Sequence, residues 1–202
     1  MINFILIIIA YLIGSFPSAL VIGKTFYQID IREHGSGNLG STNALRVLGK
    51  KGGAVVFILD ILKGGIAVLI AQQFATIHPL IIAMFALIGH IYPIFAQFKG
   101  GKAVATSAGI ILFYSPALFI TLFVIFVLTL KIWKMVSLSS TIISIAAVII
   151  VWTSALEPVK VIYSEYDLIA KIMFTLFALM IIVKHIPNYK RIINGTENKI
   201  SF

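Results

Sequence analysis

Long apolar runs recur along the whole of this chain, and most approach the ~20 residues that a helix needs to cross a bilayer. The first runs from Ile2 to Gly23, with no basic residue before it and no small-residue cleavage site, so it reads as one retained helix and not as a signal peptide. A polar stretch from Lys24 to Gly52 follows, then apolar segments at about 53–73 and 80–97 joined by a turn at His78-Pro79. After Lys99-Gly100-Gly101-Lys102 a long apolar run reaches Leu130, and further spans are expected at about 136–154 and 168–183 before a basic tail. With 60% hydrophobic and only 11% charged residues, there is too little polar surface for a soluble enzyme or a disordered chain. Cysteine is absent, which removes disulfides, thiol nucleophiles and thiolate metal sites.

Sixteen Lys and Arg against seven Asp and Glu give a net charge of +9. In an oily chain this asymmetry speaks first to orientation and not to nucleic acid. Lys24, Arg32, Arg46, Lys50 and Lys51 place the first loop in the cytoplasm and the N-terminus outside. Lys99 and Lys102 then fall inside as well. The run beyond Lys102 needs a break, and Ser115-Pro116 supplies one, because proline ends a helix at the preceding residue. Two short helices, about 103–114 and 117–130, return Lys131, Lys134 and the tail to the cytoplasm. The expectation is an all-α integral membrane protein of seven transmembrane helices, N-terminus outside and C-terminus cytoplasmic, forming a single domain over residues 1–202.

Chemistry concentrates in the cytoplasmic loops. Gly35, Gly37 and Gly40 match G-x-G-x-x-G, but the segment that follows is a membrane span and not a βαβ unit, so a Rossmann domain is excluded. What survives is an anion cradle: glycines admit close approach of a ligand to the backbone, and Ser36, Asn38, Ser41, Thr42 and Asn43 add polar groups, with Arg46 close behind. The plainer alternative is a flexible polar linker. In Phe98-Lys99-Gly100-Gly101-Lys102-Ala103-Val104-Ala105-Thr106, two lysines flank a glycine pair before a predicted helix, whose N-terminus favours phosphate. Ala96 and Ala103 rule out a Walker A loop, so phosphate binding is expected and nucleotide hydrolysis is not. A simple positive-inside lysine pair is the alternative reading.

Within the membrane, Asp60 and Lys63 at i, i+3 share a helix face; they are either a functional pair or a self-compensating one. His90 reads as structural, and His185 meets the cytoplasm three residues before Asn188. No histidine is followed five positions later by aspartate, which excludes the acid/base pair of the common glycerolipid acyltransferases. Asp30, Asp60 and Asp167 are too scattered for a magnesium cluster, and neither a G-x-S-x-G elbow nor an H-E-x-x-H zinc site is present. Metal-free chemistry on phosphates, without a cofactor, remains.

Taken together, these loops resemble the bacterial acyl-phosphate:glycerol-3-phosphate acyltransferases of the PlsY family. The first motif resembles Ser36-Gly37-Asn38-Leu39-Gly40-Ser41-Thr42-Asn43 with Arg46, and the second Gly89-His90-Ile91-Tyr92-Pro93 leading into Phe98–Thr106. The third resembles His185, Asn188, Arg191 and Gly195-Thr196-Glu197. Two mild departures are Ala103, where many members have glycine, and the Ile192-Ile193 pair. The resemblance implies transfer of a fatty acyl group from acyl phosphate to the 1-hydroxyl of glycerol 3-phosphate, yielding 1-acylglycerol 3-phosphate and inorganic phosphate. It further implies a multi-pass protein of the bacterial plasma membrane, a cytoplasmic active site and a functional link to the enzyme that makes acyl phosphate.

On this resemblance Lys99, Lys102 and the Gly100-Gly101 backbone would take glycerol 3-phosphate, with Thr106 and Arg191 among the binding residues. Ser36, Arg46 and the backbone at Gly37-Asn38, with Gly40, Thr42 and Asn43, would hold the acyl phosphate. His185 and Asn188 would position the acceptor hydroxyl, and Glu197 would clamp a basic neighbour. The proton acceptor stays open between His185 and the leaving phosphate. A transporter of an organic phosphate is the competing class; it would show paired broken helices in inverted repeats, and only one broken segment is expected here.

Overall fold

A computed structural model describes residues 1–200. The described residues form eleven α-helices and no strand. In order they are α1 (Ile2–Ser15), α2 (Ser18–Tyr27), α3 (Ser41–Val47), α4 (Gly49–Phe74), α5 (Pro79–Ile91), α6 (Val104–Tyr114), α7 (Pro116–Trp133), α8 (Val136–Trp152), α9 (Val159–Tyr163), α10 (Leu168–Lys184) and α11 (Ile186–Ile193), with tight turns at Ile31–Glu33 and Ile94–Ala96. The chain divides into two compact units, Met1–Tyr114 and the residues from Ser115 onwards.

Proline sets most of the breaks. α6 ends at Tyr114 and α7 begins at Pro116, as the Ser115-Pro116 reading expects. The single first helix expected over Ile2–Gly23 is corrected: it breaks at Phe16-Pro17 into α1 and α2, bent by 40°. Pro17 has no N–H to donate and restricts Phe16, the same physics as at Pro116, but here unbroken hydrophobicity hid it. The segment expected over 80–97 stops as a helix at Ile91, just before Pro93. α10 and α11 meet at 50° at His185, with Pro187 in the first turn of α11.

Among the described residues, three stretches are long and apolar enough to cross a membrane: α4, Pro79–Ala96 and α7. Counting each bent pair as one span gives up to five, and α6 and α8 are shorter apolar helices.

In the first unit α4 packs on α6, and α1 on α5, at backbone distance. A Cβ on Gly64 would meet the carbonyl of Thr106, and one on Gly109 the carbonyl of Ile61; Gly14 against Ala86 and Gly89 against Tyr11 repeat this between α1 and α5. Small residues let membrane helices approach closely enough for van der Waals packing to hold them. Leu6, Ala10, Ala67, Ala71, Ile82 and Ala86 form the buried core there. In the second unit α8 packs against α7 and α10. Its buried Ser139, Ser140 and Ser144 donate to the carbonyls of Met135, Val136 and Ser140, so hydroxyls are satisfied within the helix that buries them.

Candidate active site

In the first unit, the loop between α2 and α3 shapes itself with side chains. Asp30 accepts two hydrogen bonds from the Arg32 guanidinium at 2.9 and 2.6 Å and lies 3.1 Å from Lys24. The Arg32 guanidinium, with help from Lys24, holds the Asp30 carboxyl well below the usual carboxylate range. Asn43 is the internal brace. Its Oδ1 accepts from the Ser36 N–H at 2.9 Å, and its Nδ2 donates to the carbonyls of His34 at 3.1 Å and Ile31 at 3.4 Å. Asn38 Oδ1 accepts from the Gly40 N–H at 2.9 Å. Gly35 and Gly37 take φ of 62° and 69°, which glycine adopts without strain. The outcome divides the motif: Asn43 is buried and Asn38 is turned onto the loop, while Ser36, Thr42 and Arg46 are exposed.

The loop between α5 and α6 is built from backbone instead. The Gly100 N–H donates to the Ile91 carbonyl at 3.2 Å and the Gly101 N–H to the His90 carbonyl at 3.0 Å, folding the loop back on the end of α5. Phe98 donates to the Pro93 carbonyl at 2.9 Å and Lys99 to that of Ala96 at 3.1 Å. Gln97, Phe98 and Ala103 all have positive φ (55°, 60° and 59°). Lys99 is exposed, Lys102 half-buried and Thr106 fully buried, its Oγ1 without a hydrogen-bond partner. The two loops are brought to one end of this unit. Ile31, Leu39 and Ala44 of the first share a buried cluster with Ala96, which precedes Lys99.

Beneath the second loop lies a buried polar group. Lys63 Nζ donates to Asp60 Oδ1 at 2.6 Å and Ser18 Oγ donates to the same oxygen at 3.0 Å. His90 Nδ1 stands 3.8 Å from it, and Asp60 Oδ2 has no hydrogen-bond partner. Lys63 also lies 5.9 Å from the centre of the Phe16 ring.

The third motif lies in the second unit. His185, at the α10–α11 joint, is buried, and its Nδ1 is 2.8 Å from the Ile181 carbonyl. A carbonyl only accepts, so Nδ1 carries a proton and the ring is oriented by this bond. Gly195, at φ 69°, turns the chain back after α11, with the Thr196 N–H donating to the Arg191 carbonyl at 2.8 Å. Glu197 thereby faces α11 again. Its Oε1 accepts from Asn188 Nδ2 at 2.6 Å and Ser137 Oγ at 2.7 Å, and its Oε2 from Arg191 Nε at 2.8 Å. Burial pushes this carboxyl up, but the three donors outweigh it and hold it below its ordinary value. Ser137, sixty residues from Glu197, escaped the sequence reading because only the folded tail brings them together.

The glycerol-3-phosphate acyltransferase family model matches residues 4–195. A glycerol-3-phosphate acyltransferase of Bacillus subtilis (strain 168) is 50% identical over 201 residues, covering 98% of this chain and 97% of its own length. One of Bacillus cereus (strain ATCC 10987 / NRS 248) is 52% identical over 201 residues, covering 99% of this chain and 96% of its own. Among solved structures, the glycerol 3-phosphate form of PlsY, an integral membrane glycerol 3-phosphate acyltransferase, aligns with a TM-score of 0.89 at 34% identity, over 98% of this chain and 96% of that one. The lysophosphatidic acid form of the same enzyme aligns at 0.86 and 33%, over 98% and 95%.

Proposed function

The chain belongs to the glycerol-3-phosphate acyltransferase family, and from that premise we propose that its acyl donor is an acyl phosphate and that it works without a metal at the cytoplasmic face of the bacterial plasma membrane. It is an integral-membrane acyltransferase of phospholipid synthesis with glycerol 3-phosphate as its acceptor. In the proposed step the acceptor 1-hydroxyl attacks the carbonyl of the mixed anhydride. The ester C–O bond forms, the bond to the phosphate oxygen breaks, and the hydroxyl proton ends on the released phosphate, directly or through His185.

The observation that carries this reading is the loop from Lys99 to Lys102, whose glycine backbone is tied down while its two lysines flank it at the head of α6. Lys99 and Lys102 take the phosphate of glycerol 3-phosphate. The expected role of the Gly100-Gly101 backbone as donor is corrected, because both N–H groups are already given to the Ile91 and His90 carbonyls, and the glycines shape the loop instead. Ser36, Thr42 and Arg46 face the acyl phosphate and stabilise charge on its carbonyl and leaving phosphate, while Asn43 and Asn38 keep the loop in shape. His185 and Asn188 position the acceptor hydroxyl, the first oriented by the Ile181 carbonyl and the second braced by Glu197. The 202 residues act as one catalytic domain with seven spans, N-terminus outside.

Purified protein given acyl phosphate and glycerol 3-phosphate will release inorganic phosphate in step with ester; a protein that does so only with acyl-CoA overturns the donor assignment. The chain has no cysteine, so single introduced thiols test orientation cleanly. A membrane-impermeant maleimide will label Lys160→Cys on intact cells and spare Lys50→Cys and Lys199→Cys; the opposite pattern inverts the topology.

A further inference from the structure

His90 plays no part in the step above, yet its imidazole is wedged between the buried ion pair and the loop assigned to glycerol 3-phosphate. The ring is 6% exposed. One nitrogen, Nδ1, faces Asp60 at 3.8 Å, and Asp60 is itself fixed by Lys63 at 2.6 Å and Ser18 at 3.0 Å. The other, Nε2, lies against Gly101: a Cβ built there would collide with Nε2, and the next nearest atoms, Cδ2 and Cε1, belong to the same ring. The backbone at Gly101 lies outside the left-handed region, so conformation alone does not call for glycine at this position. What excludes a side chain is the imidazole. Gly100 differs, because the nearest atom a Cβ there would strike is the His90 carbonyl oxygen, which every residue carries, with the Pro93 ring and the Ile91 carbonyl oxygen next and the imidazole not among them.

We propose that His90 is the positioning residue of the Gly100-Gly101-Lys102 loop, its imidazole standing where a side chain of residue 101 would otherwise be. The ring, the His90 carbonyl and the Ile91 carbonyl together hold two consecutive loop residues on the end of α5, and thereby fix where Lys102 begins. The glycine pair is then two different requirements: residue 100 must clear backbone, residue 101 must clear a histidine. This inference rests on the assignment of the loop to glycerol 3-phosphate, and its test separates the two.

Because the obstacle at 101 is a removable side chain, shrinking it must suppress a substitution there. Gly101→Ala is expected to raise KM for glycerol 3-phosphate by about tenfold or more, with KM for acyl phosphate shifted less than about twofold. His90→Ala combined with Gly101→Ala is expected to recover most of that loss, whereas His90→Ala will not rescue Gly100→Ala. If Gly101→Ala fails to accumulate, recovery of folded protein in the double variant reads the same contact, and so does its melting temperature in detergent without substrate. No recovery by either measure overturns the role of His90, and so does equal rescue at residue 100. Lys102→Ala reports on the underlying assignment: a KM for glycerol 3-phosphate that it leaves unmoved overturns the reading of the loop, while recovery in the melting series still marks the His90–Gly101 contact.

Discussion

The two glycine-containing loops of the first unit reach order by opposite routes. The loop before α3 spends amide side chains on itself: Asn43 alone satisfies one N–H and two carbonyls, and Asn38 satisfies another N–H. The loop before α6 is held by main-chain bonds onto α5 and by contact with the His90 ring, with no amide side chain spent on its own backbone among the bonds described. A loop braced by its own amide side chains offers fewer of them to a ligand, while one braced by backbone takes its shape from main-chain bonds. Substitution should therefore damage the two loops in different currencies, stability in the first and geometry of binding in the second.

The sharpest break of that contrast is Gly100→Ala, whose methyl would have to displace the His90 and Ile91 carbonyl oxygens and the Pro93 ring; kcat/KM should fall by about 10²-fold or more, since a misplacement of about 1 Å at a binding site costs on that order. Steady-state kinetics on folded protein checks it, and a near-wild-type value would show the loop to be plastic. Next is Asn43→Ala, which takes the partner from the Ser36 N–H and from the His34 and Ile31 carbonyls and should destabilise by about 1–3 kcal/mol in thermal unfolding. Lys102→Ala should raise KM for glycerol 3-phosphate about tenfold, the loss of one charge-assisted contact, a larger effect on binding than on the melting temperature. Were Lys102→Ala to melt early with KM intact, the contrast between the loops would collapse.

The smallest effect is expected at Glu197, in the tail. Its carboxyl is held below its ordinary value, so its stabilising bonds are fully present above about pH 4.3 and are lost as pH falls through the lowered folded value. Melting measured against pH should show this acid step, and Glu197→Gln should abolish the step while costing about 1 kcal/mol at neutral pH. His185→Gln sharpens the remaining question: if His185 only orients the hydroxyl, the pH–rate profile keeps its shape at a lower height, and if it takes the proton, one limb disappears.

Much of the fold was legible because its signals are local. Apolar run length located the helical segments, and Pro116 announced the break between α6 and α7. Pro17 announced another, lost to view because Phe16, Ala19 and Leu20 keep the run hydrophobic across it. The motif positions were legible as chemistry but not as geometry. Spacing could not say that Asn43 turns inward while Thr42 beside it stays exposed, since that depends on where the His34 and Ile31 carbonyls finish. The contact of His90 with Gly101, and of Ser137 with Glu197, joins residues whose meeting is decided by tertiary packing.

Ala103 carries a further consequence. Its φ of 59° is a conformation that costs a residue with a Cβ roughly 1 kcal/mol, and its methyl is buried at the joint where the loop becomes α6. Glycine would relieve the strain but would also widen the set of shapes open to the unfolded and half-open loop. At a left-handed position the strain outweighs that entropy, so alanine leaves the seated loop less stable than glycine would, and the main-chain bonds on either side of residue 103 hold it there against its own preference.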